Sequence, residues 1–242
     1  MKKILEIKNL VKRFKDKEIH NNVSFDLKAG ETIGLLGPSG AGKSVLLRSI
    51  IGLEEIDQGE IYFHDQRIDL LSEEDLYSLR TKISYAFQNG ALFDSESVFE
   101  NVAYPLFEHT KLSENEIKSK VLESLKIVNL ENSQDLMPSD LSGGMQKRVG
   151  LARAMVLDPE ILLYDEPTAG LDPSNIETVV EVIRKFKAKG ISGIFVTHDI
   201  PTAKKICDRI LILKSGKIAF NGSVEDFENS TDTYVQTFLS GQ

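Results

Sequence analysis

Gly37-Pro38-Ser39-Gly40-Ala41-Gly42-Lys43-Ser44 fills every defined position of the pattern G-x-x-x-x-G-K-[ST]. Glycines at 37, 40 and 42 let the backbone curl until its N–H groups point inward, a cradle for phosphate oxygens. Lys43 supplies a cation that can reach the β- and γ-phosphates of a nucleoside triphosphate, and the Ser44 hydroxyl is a ligand type for Mg²⁺. A second group is acidic: Ile161-Leu162-Leu163-Tyr164 runs straight into Asp165-Glu166. Asp165 is expected to hold Mg²⁺ through water, and Glu166 to orient and polarise an attacking water. One carboxylate serves both roles badly, because a bound cation lowers its basicity. The plainer alternative is an acidic cap for the helix that begins near Ser174. Three further polar residues fall where strands end or turn: Gln88, His198, and Asp172 in Gly170-Leu171-Asp172-Pro173. Gln88 can bridge metal and water without carrying charge, and His198 can donate to a γ-phosphate oxygen.

The elements that must position these groups are legible in outline. Thr32–Leu36 is apolar enough for a buried strand, and Lys43–Leu53 reads as a helix, so the glycine loop lies between strand and helix as phosphate binding requires. Four apolar residues put Ile161–Tyr164 inside a sheet, and its carboxylates at the strand end, where ligands gather in open α/β sheets. Ile4–Ile7, Val23–Leu27, Gly59–Phe63, Ile83–Phe87 and Ile191–Thr197 also read as strands, Leu76–Arg80 as helix, and 211–220 as a hairpin around Ser215-Gly216. Ile176, Val179, Val180 and Ile183 mark one face of a helix. From Gln88 to Pro159 the strand-like alternation disappears and helical spacing takes over, as in Ile117, Val121, Leu122, Leu125 and Val128. The prediction is one domain, 1–242: an α/β core at 1–88 and 159–242 with a largely parallel, helix-covered sheet, interrupted by a helical insertion at 89–158.

Composition narrows the partners. The 242 residues carry Lys+Arg 29 against Asp+Glu 37, a net charge of -8, which argues against nucleic acid as a ligand. Cys207 is the single cysteine, so neither an intrachain disulfide nor a multi-cysteine metal site is possible. Uncharged stretches such as Thr32–Gly42 fall well short of the roughly 20 residues that span a bilayer. Glu6 and Lys8 break any signal-peptide core after Met1. A soluble intracellular protein is expected.

Leu141-Ser142-Gly143-Gly144-Met145, followed by Gln146-Lys147-Arg148, decides between families. Together with the phosphate loop, Gln88, Ile161–Glu166, Leu171-Asp172 and His198, in this order, the chain resembles an ABC-type ATPase subunit from about Leu5 to Val224. The resemblance implies the P-loop NTPase fold of ABC ATPases, with a RecA-like mostly parallel sheet, an antiparallel β part and a helical subdomain. It implies ATP and Mg²⁺ as ligands, with Gly37, Pro38, Ser39, Gly40, Ala41, Gly42, Lys43 and Ser44 on the phosphates, Ser44, Gln88 and Asp165 at the metal, and Glu166, Gln88 and His198 in catalysis. It also implies a head-to-tail homodimer, in which Ser142, Gly143 and Gly144 of one chain, at a helix start, face the nucleotide of the other. Asp172 is then a nucleotide-site residue and Phe14 stacks on adenine, although a strand-edge aromatic is the alternative for Phe14. Met145 replaces the glutamine usual in the family. Its thioether donates no hydrogen bond, so this position is not expected to contact the nucleotide sugar.

Gln88–Phe93, Asn101–Thr110 and Leu136-Met137-Pro138-Ser139, with Met145, are similar to the ATPases of Mla (maintenance of lipid asymmetry) phospholipid transporters. That similarity implies a multi-pass permease, an MCE-domain lipid-binding protein and a STAS-domain subunit as partners, at the cytoplasmic face of the inner membrane. Part of Val98, Phe99, Val102, Tyr104 and Leu106 is expected to be subdomain core. The alternatives are an importer ATPase for amino acids or other small solutes, which shares every catalytic motif, and a soluble nucleotide switch. The latter is disfavoured by the single ATPase unit, the short insertion and the acidic balance. The chain stops soon after Phe238-Leu239, so no long C-terminal regulatory domain is expected.

Overall fold

The computed structural model describes residues 2–15 and 17–239. It opens with strands β1 (Lys3–Phe14), β2 (Lys17–Lys28) and β3 (Thr32–Leu36), then helix α1 (Lys43–Ile50). Strands β4 (Gln58–Phe63) and β5 (Gln66–Arg67), helix α2 (Glu73–Leu79) and strand β6 (Ile83–Ala86) follow. Next come helices α3 (Val98–His109) and α4 (Glu114–Ile127), a 3-10 turn at Pro138–Asp140, and α5 (Gly143–Met155). Strand β7 (Ile161–Asp165), helix α6 (Pro173–Ala188), strand β8 (Ser192–Val196) and helix α7 (Ile200–Ile206) continue the alternation. The hairpin β9 (Arg209–Lys214) and β10 (Lys217–Ser223) precedes two short helices, α8 (Val224–Glu228) and α9 (Thr233–Leu239). The chain divides into two compact units, Met1–Leu79 with Ser192–Gln242, and Arg80–Ile191.

The first unit holds an antiparallel sheet in the order β2-β1-β4-β5 and a run β10-β9-β3-β8. β3 lies parallel to both β9 and β8, while β10 is antiparallel to β9. All five residues of β3, and all five of β8, are buried. Strands covered on both faces need continuous apolar sequence, which is why these two stand out as uninterrupted runs. The bidentate pair of Arg209 with Glu31 (Nε–Oε1 2.7 Å, Nη2–Oε2 3.1 Å) ties the start of β9 to the turn before β3. β1 is much longer than the short strand that alternation around Leu5 suggested. Its pairing with β2 runs from Lys3↔Lys28 to Phe14↔Lys17, and register shifts along it break the alternation that would have revealed its length.

The second unit pairs β6 parallel with β7, from Ile83↔Ile161 to Ala86↔Tyr164. Its helices start on well-formed caps: Ser97 with Glu100 for α3, Ser113 with Glu116 for α4, and Asp172 for α6. Val98, Val102, Leu106, Val121, Leu125 and Val149 form the helical core. Asn101, fully buried, fastens the loop before α3: its Nδ2 donates to the carbonyls of Phe93, Glu96 and Ser97, and its Oδ1 accepts from Phe93 N. Gly150 of α5 lies so close to that loop that a Cβ would sit 2.7 Å from Gly90 Cα, and a Cβ on Gly90 would sit 2.8 Å from Gln146 O. Arg153 of the same helix donates to the carbonyls of Gly90 and Ala91. Among the described residues no helix is long and apolar enough to cross a membrane.

Candidate active-site residues

In the first unit β3 delivers the chain to Gly37, and the loop then turns back into α1. Gly37 has φ 151, and a side chain there would strike Leu213 O at 2.4 Å. Gly42, the N-cap of α1, has φ 95, and a Cβ there would sit 2.5 Å from Ile19 Cγ2 and 2.8 Å from His20 Nε2. Both positions demand glycine for conformation and for space. No side chain caps α1 and no acidic residue lies in its first turn. The positive end of the helix dipole can therefore take an anion. Lys43 is 7% exposed, and its ammonium donates to Gly37 O (2.9 Å) and Pro38 O (3.1 Å), arching over the loop. His198, just beyond β8, lines a cavity of about 540 Å³ together with Gly37, Pro38, Ser39, Lys214 and Tyr234. The structure thus brings His198 to the phosphate loop, as its place after a strand suggested. Phe14 ends β1 with 42% exposure, and Lys12 Nζ lies 4.6 Å from its ring centroid.

In the second unit Asp165 is the last residue of β7 and is 7% exposed. Tyr85, from the neighbouring strand β6, donates its hydroxyl to Asp165 Oδ2 at 2.7 Å and fixes the plane of the carboxylate. Glu166 follows with φ 47, in the left-handed region that non-glycine residues seldom occupy, and its carbonyl accepts from Ala169 N. Lys147 of α5 donates to Ala169 O. Burial pushes the Lys147 amine down, and the nearby negative charge of Glu166 opposes that shift. Gln88 is exposed, two residues beyond β6.

Ser142 is the N-cap of α5 and its side chain accepts from Met145 N at 3.3 Å. Gly143 is exposed with nothing within 4 Å of a would-be Cβ, whereas Gly144 is buried with Asn175 Oδ1 at 2.5 Å from that position. Asn175 in turn donates from Nδ2 to Asp172 Oδ2 (2.6 Å), and Asp172 Oδ1 accepts from Ser174 N and Asn175 N. These bonds hold the Asp172 carboxyl below the usual carboxylate range, the Asn175 side chain being the largest cause. Asn175 therefore brings Asp172 and the Ser142–Gly144 helix start together.

Three residues now at work near these groups were not singled out from sequence, His20, Tyr85 and Asn175, and Lys147 was read only as part of the motif around Ser142. Asn175, three residues after the helix-capping Asp172, had a spacing signal. Tyr85 could be found only once the parallel register of β6 on β7 was known.

A family model described as ABC transporter matches residues 20–169. The chain belongs to the ABC transporter family. As an ABC cassette it is 40% identical over 240 residues to the intermembrane phospholipid transport system ATP-binding protein MlaF of Haemophilus influenzae, covering 99% of this chain and 91% of that one. It is 42% identical over 256 residues to the chloroplastic protein TRIGALACTOSYLDIACYLGLYCEROL 3 of Arabidopsis thaliana, covering 98% and 74%. Among solved structures, a dimeric ATP-binding cassette in a post-hydrolysis state with ADP and Pi aligns at TM-score 0.85 and 33% identity, covering 91% of this chain and 99% of that one. The ABC ATPase fold expected from the ordered motifs is the fold observed.

Proposed function

We propose that this ABC cassette is the ATP-hydrolysing subunit of a transporter that moves phospholipid at the inner membrane, in an MCE-type system. The observation that carries the reading is the phosphate loop, with Lys43 arched over glycines that its own fold forbids to change, in a chain 40% identical along nearly its whole length to a phospholipid-transport ATP-binding protein.

The roles follow from the chemistry of each group. The backbone N–H groups of 37–44 and the Lys43 ammonium bind the nucleotide phosphates, and His198 donates to a terminal phosphate oxygen. Glu166 accepts a hydrogen bond from the attacking water and takes up its proton, with Gln88 orienting the same water. Phe14, 42% exposed, stacks on the base. Ser44, Asp165 and Gln88 are hard oxygen donors, the set that suits Mg²⁺. Among the described residues no group of three or more His, Cys, Asp or Glu could hold a metal, as fits a cation completed by substrate phosphates and water. When bound, Mg²⁺ neutralises charge on the phosphate oxygens.

Two chains act together, each presenting Ser142–Gly144 at a helix N-terminus to the nucleotide of the other, with Asp172 beside it. The α/β core is 1–88 and 159–242, and the insertion 89–158 carries the permease-gripping surface. Support for that surface comes from aromatics the helical core does not absorb: Phe93 (42% exposed), Tyr104 (46%) and Phe107 (55%). Val98, Val102 and Leu106, from the same stretch, are core. The chain works peripherally at the cytoplasmic face of the inner membrane, with a multi-pass permease, an MCE-domain protein and a STAS-domain subunit.

Purification in mild detergent through a tag on this chain, with mass spectrometry of proteins and lipids, tests the assignment. A permease with an MCE-domain protein and bound phospholipid is the expected result. A permease with a solute-binding protein and no lipid overturns the lipid assignment while keeping the ATPase.

A further inference from the structure

A bulge in β2 turns one histidine toward the phosphate loop. Val23, Phe25 and Leu27 are buried at alternate positions, a parity that would bury residue 21 and expose residue 20. Instead Leu10 pairs with Val23 while Lys12 pairs with His20, so β2 advances three residues where β1 advances two. Asn22, inside that step, has φ 59. The extra residue reverses the parity and re-aims the side chain, and His20 ends completely buried.

His20 Nε2 lies 3.0 Å from the carbonyl oxygen of Gly42. A carbonyl can only accept, so the ring is the tautomer that carries its hydrogen on Nε2. Nδ1 is left buried without a partner among the described residues. Burial holds the ring below the usual histidine range; the bond to Gly42 opposes this, and the charge of Lys12 reinforces it. A neutral ring with an orphaned nitrogen is a costly way to fill apolar space, since the buried acceptor has given up its bond to water and gained none in return. Volume alone does not account for a histidine here.

What the ring does is visible in the peptide it grips. The Gly42 oxygen also accepts the first helical bond of α1, from Leu46 N at 2.9 Å. In a planar trans peptide the C=O of Gly42 and the N–H of Lys43 point in opposite directions. Holding the oxygen toward β2 and Leu46 aims the Lys43 N–H the opposite way, out of the N-terminal end of α1. The hairpin turn braces the same stretch of β2: Asn21 N donates to Gly216 O at 2.7 Å.

We propose that His20 is a positioning residue for phosphate binding, fixing the Gly42–Lys43 peptide so that its N–H meets the nucleotide. This rests on reading Gly37–Ser44 as the phosphate loop. The test compares His20→Gln, which keeps an N–H donor, with His20→Met, of similar length and no donor, in the purified full chain. His20→Phe, which keeps a ring but no donor, serves as a second donorless variant should His20→Met fail to fold. Equilibrium affinities for ATP and for AMP are measured beside the melting temperature. The donorless variants are expected to bind ATP about tenfold more weakly, the size of one lost hydrogen bond, with AMP much less affected and His20→Gln recovering most of the loss. Wild-type ATP affinity in the donorless variants overturns the proposal. So does equal loss for ATP and AMP, or a His20→Gln as weak as His20→Met. Lys43→Ala is measured alongside. If it too keeps full ATP affinity, the phosphate-loop reading itself falls; if it loses affinity while the donorless variants do not, only the role of His20 falls.

Discussion

Two glycine-rich stretches of this chain open helices, and a methyl group added to each would meet different surroundings. At Gly37 and Gly42 it would collide with the protein's own backbone and side chains, at 2.4 and 2.5 Å. At Gly143 it would meet nothing within 4 Å. The phosphate loop is thus shaped from within, by β2 and the β9–β10 hairpin. The start of α5 is only half determined by its own chain, where Gly144 packs on Asn175 and Gly143 stands open. Gly143 therefore leaves room at the helix start that the proposed second copy would face.

The sharpest way to break this comparison is to remove chemistry without touching shape. Glu166→Gln preserves volume and backbone, and is expected to lower ATP turnover about 10²–10⁴-fold while ATP binding persists. Phosphate release near the wild-type rate would take Glu166 out of its role. Lys43→Ala removes the ammonium that bridges Gly37 O and Pro38 O. Titration calorimetry should find ATP affinity down about 10- to 100-fold, the worth of a charged hydrogen bond.

The glycines themselves come next. Gly144→Ala must displace Asn175 and is expected to cost roughly 1–3 kcal/mol, read as a lower melting temperature. Gly143→Ala should leave the melting temperature unchanged or slightly raised, since alanine is the better helix former, while turnover falls. Equal thermal loss in both variants would erase the distinction between a self-determined and an open glycine. Tyr85→Phe frees the Asp165 carboxylate from its bond at 2.7 Å. Turnover about 3- to 10-fold lower, with more Mg²⁺ needed for half-maximal rate, is the expected result.

The smallest effect concerns acid. Asp172 is held below its ordinary range by Asn175 and the α6 amides. Its contribution is therefore complete above the unfolded carboxylate value of about 3.9 and is lost as pH falls through the lower folded value. The protection of the Ser174 and Asn175 amides, taken relative to intrinsic exchange at each pH, should fall over that acidic window. Protection that stays constant there would mean the cap does not hold α6.

What was legible in the sequence follows from the same physics. β3, β7 and β8 are buried on every residue and so appear as unbroken apolar runs, and the phosphate loop has a spacing that few other structures use. The Ser215-Gly216 hairpin turn was equally readable. β1 and β2 were read only in part, at Ile4–Ile7 and Val23–Leu27, because their bulges shift register and scramble the alternation. His20 was hidden by the same bulge, since no pattern in the linear chain says that strand parity changes at Asn22. Tyr85 and Lys147 act through partners on other elements, Asp165 and Ala169, and such pairings exist only after folding.

The approach of Gly90 to Gly150 has a mechanical meaning. At Gly90 and Gly150 the loop that follows Gln88 meets α5 backbone to backbone, with Arg153 clamping two carbonyls. Close-packed protein is scarcely compressible. A push of a fraction of an ångström on that loop therefore meets backbone at once, with no side chain at residues 90 or 150 to yield first. Two missing side chains make this contact stiff.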